Sequence, residues 1–119
     1  MPMLRDNLYT LLSTQSDAGS FTAQVRLLPE SEIYAAHFRG MSVTPGACLV
    51  QMACEMASLQ SGEMLDVAEA ADIRFLHPVL PDKIRELTLR LERGEGGLWN
   101  VQILSGETLC ARMKLMLKA

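Results

Sequence analysis

Residues 46–60 read GACLVQMACEMASLQ, and this stretch decides the fold because it is apolar on nearly every face of a helix. A helix that is apolar all round is buried, so we predict a central core helix over roughly residues 46–60. Its polar exceptions, Gln51, Glu55 and Ser58, lie at helical spacing and form one narrow stripe. Buried polar side chains need hydrogen-bond partners, so this stripe must meet polar groups from outside the helix.

The segments on either side of this helix alternate apolar and polar residues, the pattern typical of half-buried strands. Six strands with one apolar helix after the second predict an α+β fold, in which a curved antiparallel sheet wraps around the helix. Residues 3–13 carry leucines at helical spacing and predict a short amphipathic helix before the sheet. The predicted strands cover residues 21–27, 31–38 as the hairpin partner of the first, and about 64–76, 84–92, 98–104 and 108–117.

The composition predicts one soluble globular domain over residues 1–119. A net charge of −3 with 49% hydrophobic residues argues against a nucleic-acid partner. Three cysteines without metal-ligand or disulfide spacing predict no metal, no cofactor and a cytoplasmic location. The amino terminus is interrupted by Arg5 and Asp6, and no apolar run reaches the roughly 20 residues of a bilayer span, so we expect neither an export signal nor a membrane segment.

The string HFRGMSVTPGACLVQ over residues 37–51 carries the chemical signal of the chain. It resembles the hotdog-fold 3-hydroxyacyl-ACP dehydratases of bacterial fatty-acid synthesis. Their pattern is H-F-P-G-x-P-hydrophobic-x-P-G, followed five residues after the last Gly by Glu or Asp. Residues 74–81, RFLHPVLP, and 98–117, LWNVQILSGETLCARMKLML, resemble the third strand and the two closing strands of that family.

The resemblance implies a dimer with two acyl tunnels at its interface, each built from His37 of one subunit and the helix of the other. It implies removal of water from a β-hydroxyacyl thioester, held by acyl carrier protein through phosphopantetheine, to give the trans-2-enoyl thioester. An imidazole near its titration range suits the base at His37, and the Gly46 N–H at a helix start suits a donor to the thioester oxygen. The implied substrate-binding residues are Phe38, Gly40, Val43, Pro45 and Ala47.

The sequence departs from this family at the acid. Gln51 stands at the carboxylate position, and a carboxamide donates a hydrogen bond but delivers no proton as an acid of useful pKa. Glu55 stands where the family often has Gln, so the two residue types are exchanged. The pair equally fits structural hydrogen bonding at a dimer seam.

Three functions therefore stay open. The leading one is a dehydratase in which Gln51 and Glu55 together form the hydroxyl side of the site. The second is an acyl-ACP or acyl-CoA thioesterase, in which His37 or Glu55 activates water and Gly46 holds the oxyanion. The third is a non-catalytic acyl-binding subunit, whose active homologue supplies the carboxylate in a heterodimer.

Overall fold

Within the part of the chain that the structure describes, six antiparallel strands and one long helix make up the fold. The computed structural model describes residues 3–32, 34 and 43–119. All neighbouring strands are antiparallel, in the order β1-β2-β4-β5-β6-β3. The elements are β1 (Tyr9–Asp17), β2 (Ser20–Leu27), α1 (Gly46–Ser61), β3 (Asp66–Phe75), β4 (Glu86–Arg93), β5 (Leu98–Ser105) and β6 (Thr108–Lys118).

The predicted core helix and five of the predicted strands are confirmed, although β3 is exposed along nearly its whole length. Along β2 and β4 to β6 every second side chain is buried, since successive residues of a strand point to opposite faces. The buried face joins α1 in one hydrophobic cluster that includes Trp99, Met52 and Met56. Gly62, with φ 78°, ends the helix by donating its N–H to the carbonyl of Ser58 at 3.0 Å.

The prediction of a helix over residues 3–13 is wrong, because the chain makes only one hydrogen-bonded, non-helical turn before β1. Leu4 accepts a hydrogen bond from the Leu8 N–H at 2.7 Å, so the helical spacing of these two buried leucines describes one real turn. Asp6 then has φ 67°, a left-handed conformation that cannot continue a helix. From Tyr9 onward the backbone pairs with β2, so long-range strand pairing overrides the local pattern.

The prediction of a hairpin strand over residues 31–38 is contradicted for the part of it that the structure describes. Both edges of β2 are taken, one by β1 and the other by β4, so no third strand can pair with it. Glu32 and Tyr34 have helical conformation, and residues 33 and 35–38 lie outside the described residues. The count of six strands still holds because β1 takes the place of this segment.

No helix within residues 3–32, 34 and 43–119 is long and apolar enough to cross a lipid bilayer.

Both tyrosines of the chain are buried with their hydroxyl groups paired. Tyr9 donates its hydroxyl hydrogen to Glu55 Oε1 at 2.6 Å, and the Tyr34 hydroxyl lies 2.9 Å from Thr44 Oγ1. Burial, followed by the hydrogen bond to Glu55, raises the pKa of Tyr9 well above its usual value. Burial also raises the pKa of Tyr34 to about 12. The fold therefore holds both phenols in their neutral form.

These shifts predict the alkaline behaviour of the protein. A group whose pKa is higher in the folded state stabilises the fold below its unfolded pKa and loses that contribution as the pH rises. Stability should therefore fall from pH 10, the unfolded value, towards pH 12, the folded value of Tyr34. The check is tyrosinate ultraviolet absorbance, native against denatured. A native protein that ionises half of either tyrosine at pH 10, as the denatured chain should, would contradict the burial described here.

Candidate active site

The start of α1 is shaped by the Thr-Pro-Gly sequence. Thr44 is buried and donates its N–H to the carbonyl of Val79 at 2.8 Å, which fixes the approach to the helix. Pro45 is extended, and its carbonyl accepts the N–H groups of Cys48 at 2.9 Å and Leu49 at 3.2 Å. The first turn of a helix leaves N–H groups without intrahelical acceptors, at the positive end of the helix dipole. The Gly46 N–H is such a group, with no partner among the described residues.

An aromatic ring explains why residue 46 is glycine. A Cβ at this position would lie 2.5 Å from Cζ of Phe75, the last residue of β3, which is closer than real carbon contacts. Phe75 is itself 54% exposed, so its ring lies against the helix start without being locked in the core. The Phe75 ring thus occupies the space that a side chain at position 46 would need. Phe75 lies outside the motif of residues 37–51 but within the segment RFLHPVLP.

The polar stripe of α1 finds its partners inside the same chain. Glu55, only 8% exposed, accepts four hydrogen bonds on its two carboxylate oxygens. Oε2 accepts the Leu4 N–H at 2.6 Å and Nε2 of Gln51 at 3.1 Å. Oε1 accepts the Arg5 N–H at 3.0 Å and the Tyr9 hydroxyl at 2.6 Å. The prediction that the stripe needs partners from outside the helix is confirmed, and for Glu55 they are Leu4, Arg5 and Tyr9, the first residue of β1.

Ser58 completes the stripe one turn further along the helix. Its hydroxyl donates to the Cys54 carbonyl at 2.8 Å and accepts the Leu65 N–H at 3.0 Å. These bonds tie the loop before β3 to the helix. Two segments that are distant in sequence, the amino-terminal turn and the loop into β3, are therefore held against one face of α1.

A groove of about 410 Å³ opens between these two segments, along the polar stripe. We call it the α1 groove. Apolar side chains form much of its wall, and Gln51 and Glu55 lie side by side in it. Its lining residues are Met3, Arg5, Gln51, Cys54, Glu55, Ser58, Leu59, Gly62, Glu63, Met64, Leu65 and Asp66.

The structure divides the predicted site residues into three groups. Gln51 and Glu55 meet in the α1 groove. Val43, Pro45, Gly46 and Ala47 lie at the helix start, where Gly46 is roughly 7.5 Å from Gln51 along the helix axis at 1.5 Å per residue. His37, Phe38 and Gly40 lie outside the described residues. No cluster of side chains that could hold a metal ion occurs within the ranges that the structure describes.

Comparison with known proteins identifies the family. The family model described as ApeI-like, ApeI dehydratase, matches residues 13–114. The chain belongs to this family of dehydratases. A curated relative, the 3-hydroxyacyl-[acyl-carrier-protein] dehydratase FabZ of Cereibacter sphaeroides, is 24% identical over 78 residues. That match covers 58% of this chain and 50% of the relative, so the chain spans about half the length of the curated protein it matches.

Solved structures confirm the hotdog fold that the sequence resemblance implied. The dehydratase heterocomplex ApeI:P from Xenorhabdus doucetiae matches with a TM-score of 0.75 at 17% identity, over 92% of this chain and 96% of that one. The putative thioesterase yhdA from Lactococcus lactis matches with a TM-score of 0.64 at 13% identity, over 98% of this chain and 95% of that one. At these identities the likeness shows the shared fold, which dehydratases and a putative thioesterase both use.

The four bonds to Glu55 predict a large stability cost for its removal. Glu55→Ala would leave two backbone N–H groups and a buried phenol without their acceptor, so we expect a loss of about 2 to 4 kcal/mol of unfolding free energy. Urea denaturation measures it. Glu63→Ala is the matched control, because Glu63 is an exposed glutamate of the same groove and should change stability by about 0.5 kcal/mol or less. Equal effects of the two substitutions would contradict the structural role of Glu55.

Proposed function

We propose that this protein is a 3-hydroxyacyl thioester dehydratase, which removes water from a β-hydroxyacyl chain to give the trans-2-enoyl thioester. The observation that carries the proposal is the α1 groove, where an apolar wall meets a fixed polar pair, Gln51 and Glu55. A groove of this kind suits an acyl chain that bears one polar group at a defined carbon. Membership of the ApeI-like dehydratase family supports the same reaction class.

The chemistry assigns a role to each element of the site. The base must take a proton from the carbon next to the thioester, and we assign this role to His37, because imidazole is the side chain best suited to general-base work at neutral pH. The developing enolate oxygen needs a donor, and we assign this to the N–H of Gly46 at the positive end of α1. On the hydroxyl side, Gln51 meets the substrate and Glu55 holds the Gln51 amide in place. Phe38, Gly40, Val43, Pro45 and Ala47 are the proposed walls around the substrate.

The proton balance of the reaction is met without a carboxylic acid at position 51. Elimination removes one proton from C2 and needs one proton for the hydroxyl leaving C3. The imidazolium formed on His37 carries that proton and can return it to the departing hydroxyl, while Gln51 binds the hydroxyl by a hydrogen bond. This route has one acid-base group where the family pattern has two, so we expect slow turnover.

The proposal includes assembly with a second subunit. Strand β3 is an edge of the sheet with no second partner strand among the described residues, and Val67, Phe75 and Met64 expose apolar surface on or beside it. An unpaired edge with apolar side chains favours pairing with another chain. We propose a homodimer or higher oligomer through this edge, with a heterodimer with a dehydratase homologue as the other form. Acyl carrier protein is the proposed carrier of the substrate in a cytoplasmic setting, with no nucleic-acid or membrane partner.

Two observations favour other functions of the same site. The structural neighbour yhdA is described as a putative thioesterase, and hydrolysis by water at the thioester carbonyl needs no acid at C3. The amide at Gln51 also suits a non-catalytic subunit, and the structural neighbour ApeI:P is a dehydratase heterocomplex. Both alternatives place an acyl chain in the α1 groove and differ from the proposal only in the product.

A direct assay separates these functions. Purified protein is incubated with a 3-hydroxyacyl thioester while conjugated-enoyl absorbance and free thiol are followed together. We expect enoyl product without thiol release, and a fall of about 10² to 10⁴ in rate for His37→Ala because the base is removed. Thiol release without enoyl product would replace the proposal with hydrolysis. Binding without either product would leave an acyl-binding subunit.

Restoring the family carboxylate should raise activity. Gln51→Glu supplies a group able to protonate the leaving hydroxyl, so we expect dehydration to increase by about 10² to 10⁴. Gln60→Glu is the matched control, because it makes the same change of charge on an exposed residue near the end of α1 and outside the groove lining. The assignment of Gln51 to the hydroxyl side is wrong if both variants behave like the parent protein.

A further inference from the structure

The side-chain amide of Gln51 has only one orientation that suits its surroundings. Its Nε2 donates to Glu55 Oε2 at 3.1 Å. All four contacts of Glu55 use its oxygens as acceptors. Turning the Gln51 amide over would set its carbonyl oxygen against a second oxygen and lose the hydrogen bond. The chemistry of the neighbour therefore fixes which end of the amide faces Glu55.

Glu55 cannot rotate to relax this constraint. Its Oε2 is also held by the Leu4 N–H at 2.6 Å, and its Oε1 by the Arg5 N–H at 3.0 Å and the Tyr9 hydroxyl at 2.6 Å. Leu4 and Tyr9 are themselves buried, at 3% and 0% exposure, so the donors belong to the packed core. The carboxylate is a fixed acceptor, and both of its oxygens are in use.

The opposite end of the Gln51 amide remains available to a ligand. Its Oε1 has no hydrogen-bond partner among the described residues, and the half-buried side chain lines the α1 groove. A carbonyl oxygen only accepts hydrogen bonds, so the ligand group that fits here is a donor. A hydroxyl satisfies this requirement. A ketone oxygen does not, because it has no hydrogen to donate and its lone pairs would be repelled by those of Gln51 Oε1.

We infer that Gln51, positioned by Glu55, is the residue that selects a hydroxyl at C3 of the acyl chain against a ketone or an unsubstituted carbon. Glu55 is then a positioning residue that does not touch the substrate. This inference rests on the proposed function, because it takes the acyl thioester as the ligand of the groove. The inference explains why Gln and Glu are exchanged along the helix: Gln51 presents a fixed hydrogen-bond acceptor where the family pattern has an acid, and Glu55 holds it there.

The test compares affinities for three pantetheine amides of equal chain length, which cannot be hydrolysed as thioesters. They carry a 3-hydroxyl, a 3-oxo group or no substituent. The full-length protein should bind the 3-hydroxy compound about tenfold more tightly than the unsubstituted one, the scale of one net hydrogen bond, and should bind the 3-oxo compound more weakly still. Calorimetry or fluorescence titration gives the three Kd values.

Three variants separate positioning from general structural damage. Gln51→Leu removes the acceptor, so the preference for the hydroxyl should disappear. Glu55→Gln lets the amide of Gln51 turn its N–H towards the groove, so affinity for the 3-oxo compound should rise while the hydroxyl preference falls. A merely structural loss would weaken all three ligands together. Gln60→Leu is the matched control, since it makes the same substitution on an exposed residue of α1 outside the groove lining and should leave the preference unchanged.

The outcomes divide as follows. Equal binding of the three compounds by the parent protein, or a hydroxyl preference that survives in Gln51→Leu, would overturn the selection role while leaving the groove as an acyl site. Binding of none of the compounds would overturn both this inference and the proposed function. If Glu55→Gln does not fold, Gln51→Leu alone decides, because Gln51 makes one polar contact at the edge of the network.

Discussion

One buried carboxylate on an otherwise apolar helix constrains the rest of this structure. A charge in a protein core is tolerated only when donors surround it, and Glu55 has four of them. Three of the donors come from residues 4, 5 and 9, so the amino-terminal turn must dock on α1 for the Glu55 carboxylate to be buried with its oxygens satisfied. That docking places Tyr9 at the start of β1 and forms one wall of the α1 groove.

The Glu55 carboxylate has a structural role, and the residue that faces the substrate is a different one. In the family pattern an acidic residue stands five positions after the glycine at the helix start, and here that position is Gln51. The acidic group is instead one turn deeper, where its oxygens are occupied by the fold. Glu55 is thus the type of residue that could act as a catalytic acid, but its hydrogen bonds serve to hold the fold together. The groove is left with an amide whose orientation the anchor determines.

The sequence predicted the parts of the fold whose pattern is local and continuous. The helix over residues 46–60 and the strands containing Val25, Leu89 and Trp99 followed from periodicity, because each buries one regular face. The stretch before β2 departs from its apparent helical pattern for a physical reason. Leu4 and Leu8 are joined by one hydrogen-bonded turn that contains the left-handed Asp6, and in β1 the register shifts between Leu11 and Ser13, which leaves Leu12 42% exposed and breaks the alternation.

A turn signal was also present in that stretch. Asp17 pairs with Ser20 across a two-residue connection in which Gly19 has φ 76°, and a glycine in such a turn is typical of a hairpin. For the site, spacing along the helix correctly placed Gln51, Glu55 and Ser58 on one stripe. It could not identify the three donors to Glu55 from residues 4, 5 and 9 or the Phe75 ring at Gly46, because these contacts join residues more than 25 positions apart.

The most direct measurement is a crystal structure of the protein with a 3-hydroxyacyl pantetheine amide bound. The account requires the acyl chain in the α1 groove, with its hydroxyl donating to Oε1 of Gln51 and with Glu55 still accepting from Leu4 and Tyr9. A chain bound away from this groove, or a hydroxyl held directly by Glu55 after its bonds to the amino-terminal turn have broken, would contradict it.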